Sequence, residues 1–207
     1  MREILFYPGS YSPLHIGHLC LANYIIEQMR DRFDELWFSL TPSNPFKEDN
    51  LLLPDDFRRR WAESLLREHP KIRLSLDEWE LPQPNYTLRT MQYLHAKYPD
   101  SHFTLLMGLD SLLWLHKWYH SDELTQTTDI LVYPRPGYHL PEDFVMPART
   151  HVIDDVPTYE VSSTDIRERL EEGKDLPYLL ATSIDDPLYR ELLELIRTSG
   201  HRNGAEA

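Results

Sequence analysis

Two histidines stand three residues apart in the stretch GSYSPLHIGHLCLANYII, residues 9–26, where an apolar run gives way to helical spacing. Gly9 and Ser10 directly follow that run, so the turn offers backbone N–H groups, and the helix behind it adds its positive end. Such a turn suits an anion such as phosphate. Gly17 lets a ligand or another stretch of backbone approach closely. On a helical turn, His15 and His18 reach one face. Two imidazoles at that spacing could also bind a metal, but the chain offers no obvious third ligand. A pair of purely structural histidines is the plainer alternative. The turn lacks the Gly-Lys-Ser/Thr ending of a Walker A loop and the G-x-G-x-x-G dinucleotide turn.

The elements that must carry this turn follow from the apolar pattern. Residues 4–7 form a short apolar run ended by Pro8-Gly9, which predicts a buried strand. Further strands are expected over residues 35–40, 71–76, 102–108 and 129–134, with a short sixth over 150–154. Leu19, Ala22, Ile26 and Met29 recur at helical spacing, as do Phe57, Trp61 and Leu65. Leu88, Met91, Leu94 and Tyr98 mark another helix, capped by Asn85 or Thr87. A helical patch covers 112–118, and two more helices start near Ser163 and Pro187. The run FRRRW, residues 57–61, is expected to be a solvated helix face, and Asp122-Glu123 likewise. Apolar strands alternating with helices imply an α/β fold with a doubly wound parallel sheet of about five to six strands and a small helical C-terminal part. One domain over residues 1–200 and a disordered tail over 201–207 complete the expectation. Ligands in such folds sit beyond the carboxyl ends of the strands, and the polar clusters here follow strands one, two, four and five.

Composition narrows the partners. The 207 residues carry a formal net charge of −13, from 21 basic and 34 acidic side chains, which repels phosphate backbones and argues against nucleic acid. A single cysteine, Cys20, excludes an internal disulfide and is expected to be a small buried hydrophobe. The N-terminus does not resemble a signal peptide and no segment is apolar enough to span a bilayer, so a cytoplasmic protein without membrane contact is expected. Oligomeric state is not legible; a homo-oligomer stays open.

GSYSPLHIGH resembles the G-x-F-x-P-x-H-x-G-H signature of the nucleotidyltransferase superfamily, and VSSTDIRERL, residues 161–170, resembles its I-S-S-T-x-I-R signature. PNYTLRTM resembles the S-Y-T-x-x-T-L segment of bacterial nicotinate-nucleotide adenylyltransferases. LLMGLDSLLWLHKWY resembles their G-x-D…W segment, VYPRPG their V-x-R-P-G, and SNPFK their P-P-H-K. The likeness runs in order over residues 4–170. It departs at Pro8 for glycine, Ser10 for threonine, Tyr11 for phenylalanine, Ser12 for aspartate, Phe46 for histidine and Asn85 for serine.

The resemblance implies a Rossmann-like fold and adenylyl transfer from ATP to nicotinate mononucleotide, a step of NAD biosynthesis that releases pyrophosphate. It implies a catalytic set of His18, His15, Lys47 and Arg167. ATP would be held by Gly9, Ser10, Tyr11, His15, His18, Gly108, Asp110, Ser162, Ser163, Thr164 and Arg167, with Asp110 on ribose hydroxyls. The mononucleotide would be held by Tyr86, Thr87, Trp118, Tyr119 and Arg135. Mg²⁺ would arrive with ATP, held mainly by phosphates and water, and no protein metal site is expected. The same residues have plainer readings: Asp110 as a helix cap, Lys47 as a loop charge, Arg167 as a surface charge, Trp118 as core. Nicotinamide-mononucleotide or pantetheine-phosphate adenylyl transfer, cytidylyl transfer, and a non-catalytic nucleotide sensor are the rival functions.

Overall fold

Residues Arg2–Gly9 form the central strand, β1, of the computed structural model, which describes residues 1–42, 52–153 and 155–203. Ile4 to Tyr7 are all buried because both faces of the strand are covered. Leu5 and Tyr7 face one apolar cluster and Ile4 and Phe6 the other, as the two-residue repeat of a strand requires. Pro8 and Gly9 do not end the strand. They stay in register with Ser39 and Leu40 of β2, Glu35–Leu40.

The other strands are β3 (Ile72–Ser75), β4 (Ser101–Gly108), β5 (Asp129–Tyr133) and β6 (Thr150–Val152). All pairings are parallel, in the order β3-β2-β1-β4-β5-β6. The chain starts in the middle, builds outward to β3, then returns across β1 to build the other half. Connections therefore leave β1 and β4 in opposite directions and open a crevice at their carboxyl ends.

Four helices share the cluster that holds Leu5 and Tyr7: α1 (Ile16–Gln28), α2 (Asp55–Leu66), α6 (Ser163–Glu171) and α7 (Pro187–Asn203). Leu21 and Ile25 of α1, Trp61 of α2, Ile166 of α6 and Leu192 of α7 pack together there. The opposite face is covered by α3 (Thr87–Lys97), α4 (Leu109–Trp114) and α5 (Ser121–Thr127), through Leu94, Leu112 and Leu124. Each such leucine contributes about 2 kcal/mol by leaving water. The C-terminal part is tied in by hydrogen bonds as well: the Ile16 N–H donates to the Leu179 carbonyl at 2.8 Å. The final helix runs on to Asn203, past the position where the tail was expected to begin. Among the described residues no helix is long and apolar enough to cross a membrane.

Three local expectations are corrected. Neither Asn85 nor Thr87 caps α3: Tyr86 takes the cap position without a side-chain bond, and the Asn85 amide instead donates to Thr90 Oγ1 at 2.6 Å. Cys20 is of intermediate exposure rather than buried. FRRRW is not uniformly a solvated face. Arg58 is 1% exposed, because a second stripe (Arg58, Ala62 and Leu66) turns inward beside Phe57 and Trp61.

Candidate active site

The reciprocal caps of α1 set the two histidines. His15 is the N-cap residue, and its Nδ1 accepts from the Gly17 N–H at 3.2 Å; His18 Nδ1 accepts from the His15 N–H at 3.4 Å. With Nδ1 accepting in both rings, the neutral tautomer carries its proton on Nε2. The ring centroids lie 3.8 Å apart. Burial, reinforced by the Arg135 charge, holds His15 at about 4, so it is neutral at physiological pH. Gly17 is required by side chains: a Cβ there would stand 2.7 Å from Val161 Cγ1 and 3.1 Å from His15 Cε1.

These rings border a crevice formed at the carboxyl end of β1, with Gly9, Ser10 and Tyr11 on one side and Ser162, Ser163 and Thr164 on the other. Asp110 and Arg135 close it, 3.7 Å apart between Arg135 Nε and Asp110 Oδ1. Gly108 permits this closure, since a Cβ would collide with Asp110 Oδ1 and meet Arg135 Cγ at 3.1 Å. Tyr11 sits at φ 42, a left-handed conformation costly for a side-chain-bearing residue. Its hydroxyl, donating to the Tyr7 carbonyl at 2.6 Å, and its edge-on contact with His18 at 5.1 Å hold it there.

Two further contacts fix the turn. Arg167 Nη1 donates to the Ser12 carbonyl at 2.6 Å, and Ser163 Oγ donates to the Pro13 carbonyl at 3.0 Å, so the start of α6 is laced to the loop behind β1. Arg167 borders the crevice through Thr164 rather than lining it. Ser12, where the superfamily signature has aspartate, is 1% exposed and accepts from the Leu53 N–H at 2.8 Å. Lys47 and Phe46 lie outside the described residues.

A second pocket adjoins the first, sharing Pro8, Gly9 and Ser111 with it. Tyr86, Thr87, Trp118 and Tyr119 come together here, from the start of α3 and the segment after α4. Tyr86 and Tyr119 stack at 4.6 Å, and the Arg89 guanidinium lies over both rings, 5.4 and 5.1 Å from their centroids. Arg135 lines the first pocket and not the second. Trp114, at helical spacing from Trp118, is 54% exposed and lines neither.

Sequence reasoning missed two buried charged residues beside these pockets. Arg58 donates to the carbonyls of Ser10 at 2.6 Å, Thr41 at 2.9 Å, Pro42 at 3.1 Å and Leu53 at 3.0 Å, and pairs with Asp55. Its i, i+4 repeat with Ala62 and Leu66 was the available signal. Glu78 lines the second pocket from a 3-10 turn, Asp77–Glu80, that no pattern in the sequence marks.

A family model described as cytidylyltransferase-like matches residues 6–169. The chain belongs to that family. It is a nucleotidyltransferase. Its relatives include a probable nicotinate-nucleotide adenylyltransferase of Bacteroides fragilis (strain YCH46), 40% identical over 86% of this chain and 87% of that one. Another, from Bacteroides thetaiotaomicron and of the same name, is 39% identical over 93% of this chain and 92% of its own length. Among solved structures, the Plasmodium falciparum nicotinic acid mononucleotide adenylyltransferase complexed with NaAD superposes with a TM-score of 0.72, covering 98% of both chains at 15% identity. A putative nicotinate-nucleotide adenylyltransferase from Vibrio parahaemolyticus gives 0.63 at 20% identity, over 93% of this chain and 99% of that one. At those identities the two structures show the shared fold.

Proposed function

We propose that this chain transfers the adenylyl group of ATP to nicotinate mononucleotide, giving nicotinate adenine dinucleotide and pyrophosphate. The observation that carries the reading is the junction of the two pockets at Gly9: a crevice lined by histidines, hydroxyls and Arg135 and a ring-lined pocket meet over the end of β1. ATP phosphates occupy the first and the pyridine ring the second, which brings the 5′-phosphate of the mononucleotide up to the α-phosphorus. One phosphate oxygen forms the new bond to that phosphorus, and the bond to the bridging oxygen of the β-phosphate breaks. The nucleophile is already ionised at neutral pH, so no general base is needed. What the site supplies is alignment and donors for spreading charge.

His18 and His15 donate from Nε2 to the phosphates, with His18 stabilising the transition state. Lys47 adds positive charge from its loop, and Arg167 reaches the β and γ phosphates with donors not engaged by Ser12. Asp110 takes ribose hydroxyls, and Arg135 addresses the mononucleotide phosphate at the junction. Mg²⁺ enters bound to ATP. It would be held mainly by phosphates and water, and would add positive charge over the transferring phosphoryl group. In the second pocket Trp118 stacks on the pyridinium. The nicotinate carboxylate meets the unpaired N–H groups that open α3, the Thr87 hydroxyl and the Tyr119 N–H. The test is to mix the protein with ATP, Mg²⁺ and either pyridine mononucleotide and to measure pyrophosphate. Release with nicotinate mononucleotide is expected; no release with either would overturn the assignment.

A further inference from the structure

The second pocket carries a carboxyl that adenylyl transfer does not use. Glu78 is 5% exposed and lines the pocket with Asn85, Thr87 and Trp118. Its Oε1 accepts from Ser39 Oγ at 2.9 Å and from Thr41 Oγ1 at 3.4 Å. The Asn85 side chain also reaches it. Asn85 Nδ2 donates to Thr90 Oγ1, yet Asn85 Oδ1 is buried with no partner among the described residues. An ionised Glu78 adds two more acceptor oxygens to this buried floor, whereas a neutral acid converts one of them into a donor.

The surroundings push the same way. Asp77, on the same turn, places a like charge next to Glu78 and is itself paired with Lys97 at 2.9 Å. The end of β2 and the residue after it present the hydroxyls of Ser39 and Thr41, the approach to α3 presents Asn85, and the turn after β1 presents the buried Tyr11 phenol. Burial raises the Glu78 carboxyl to about 7 against the pull of those hydrogen bonds.

We propose that Glu78 is a specificity-determining residue of the pyridine pocket, admitting an anionic ring substituent when neutral and turning it away when ionised. The proposal rests on the adenylyl-transfer reading for the identity of its ligand. A neutral amide, which offers NH₂ donors, suits the ionised form instead. Preference for nicotinate over nicotinamide therefore belongs to the protonated pocket, and it declines as pH rises through the Glu78 titration.

Calorimetric binding of nicotinate and nicotinamide mononucleotides, from about pH 5.5 to 8.5, tests this, with pyrophosphate release measured alongside. The affinity ratio is the readout, because the phosphate common to both ligands cancels. In the native protein the ratio should fall about tenfold over that range. In Glu78→Gln, where the side chain stays neutral, it should be flat. Ser39→Ala removes a donor to the carboxylate and should move the midpoint to higher pH, which keeps the test decisive if Glu78→Gln does not fold. A native ratio flat with pH, equal slopes in native protein and Glu78→Gln, or an unmoved midpoint in Ser39→Ala would overturn the proposal. pH-dependent binding without pyrophosphate release would overturn the adenylyl-transfer reading and leave the proposal standing. Binding of neither mononucleotide would overturn both.

Discussion

His15 and His18 occupy one turn but differ in burial. Each ring accepts a backbone N–H through Nδ1, which fixes its tautomer and aims Nε2–H as a donor. Losing one preorganised donor to a charge that grows in the transition state costs on the order of 10²–10³ in rate. His18→Ala should therefore lower kcat by about that factor while the fold survives, and steady-state kinetics beside circular dichroism check it. His15 is the more deeply held of the two, at 3% exposure, and its depressed value gives a direct spectroscopic prediction. NMR titration should show the His15 ring neutral down to about pH 5, while a model imidazole titrates near pH 6.5. A normal titration would mean that the ring is not buried at the start of α1 as found.

At the scale of elements, Arg58 shows where local pattern stops informing. The apolar strands announced the sheet, because a strand covered on both faces must be apolar throughout, and the small residues before His15 announced a turn between β1 and α1. The burial of Arg58 follows from something no window of sequence contains: the carbonyls of Ser10, Thr41, Pro42 and Leu53 converge on one point from two separate loops. Glu78 was silent for the same reason, since its hydroxyl partners lie at the end of β2 and just after it, some forty residues upstream. The motifs singled out Asp110 and Arg135 as candidates, but their pairing across Gly108 was not legible. Arg58 is the element-scale prediction. Arg58→Met keeps the bulk and strands several carbonyl acceptors, so it should cost about 3 kcal/mol of stability by urea denaturation. Asp55→Asn leaves those carbonyl bonds in place and should cost under about 1 kcal/mol.

At the scale of the molecule, the strand order puts two pockets side by side, lined in part by two buried titratable groups, His15 and Glu78. Trp118→Ala should weaken mononucleotide binding about tenfold and leave ATP binding nearly unchanged, since Trp118 lines only the second pocket. The buried groups also couple folding to pH, in opposite senses. His15, at about 4 when folded against 6.5 unfolded, binds fewer protons in the folded state, so its contribution to stability rises with pH between those values. Glu78, at about 7 when folded against 4.5 unfolded, binds more protons in the folded state, so its contribution falls as pH rises from 4.5 to 7. Where the two windows overlap they offset each other, and stability should be nearly level there for these groups. Glu78→Gln removes one side of that balance. Relative to the native protein, the variant should gain stability as pH rises from about 5 to 8, by on the order of 3 kcal/mol. Urea midpoints at both pH values, converted with a common slope, measure the difference of differences and cancel the fixed cost of exchanging a carboxyl for an amide. A difference independent of pH would show that Glu78 titrates as an ordinary carboxylate, with its desolvation relieved by water reaching the pocket floor.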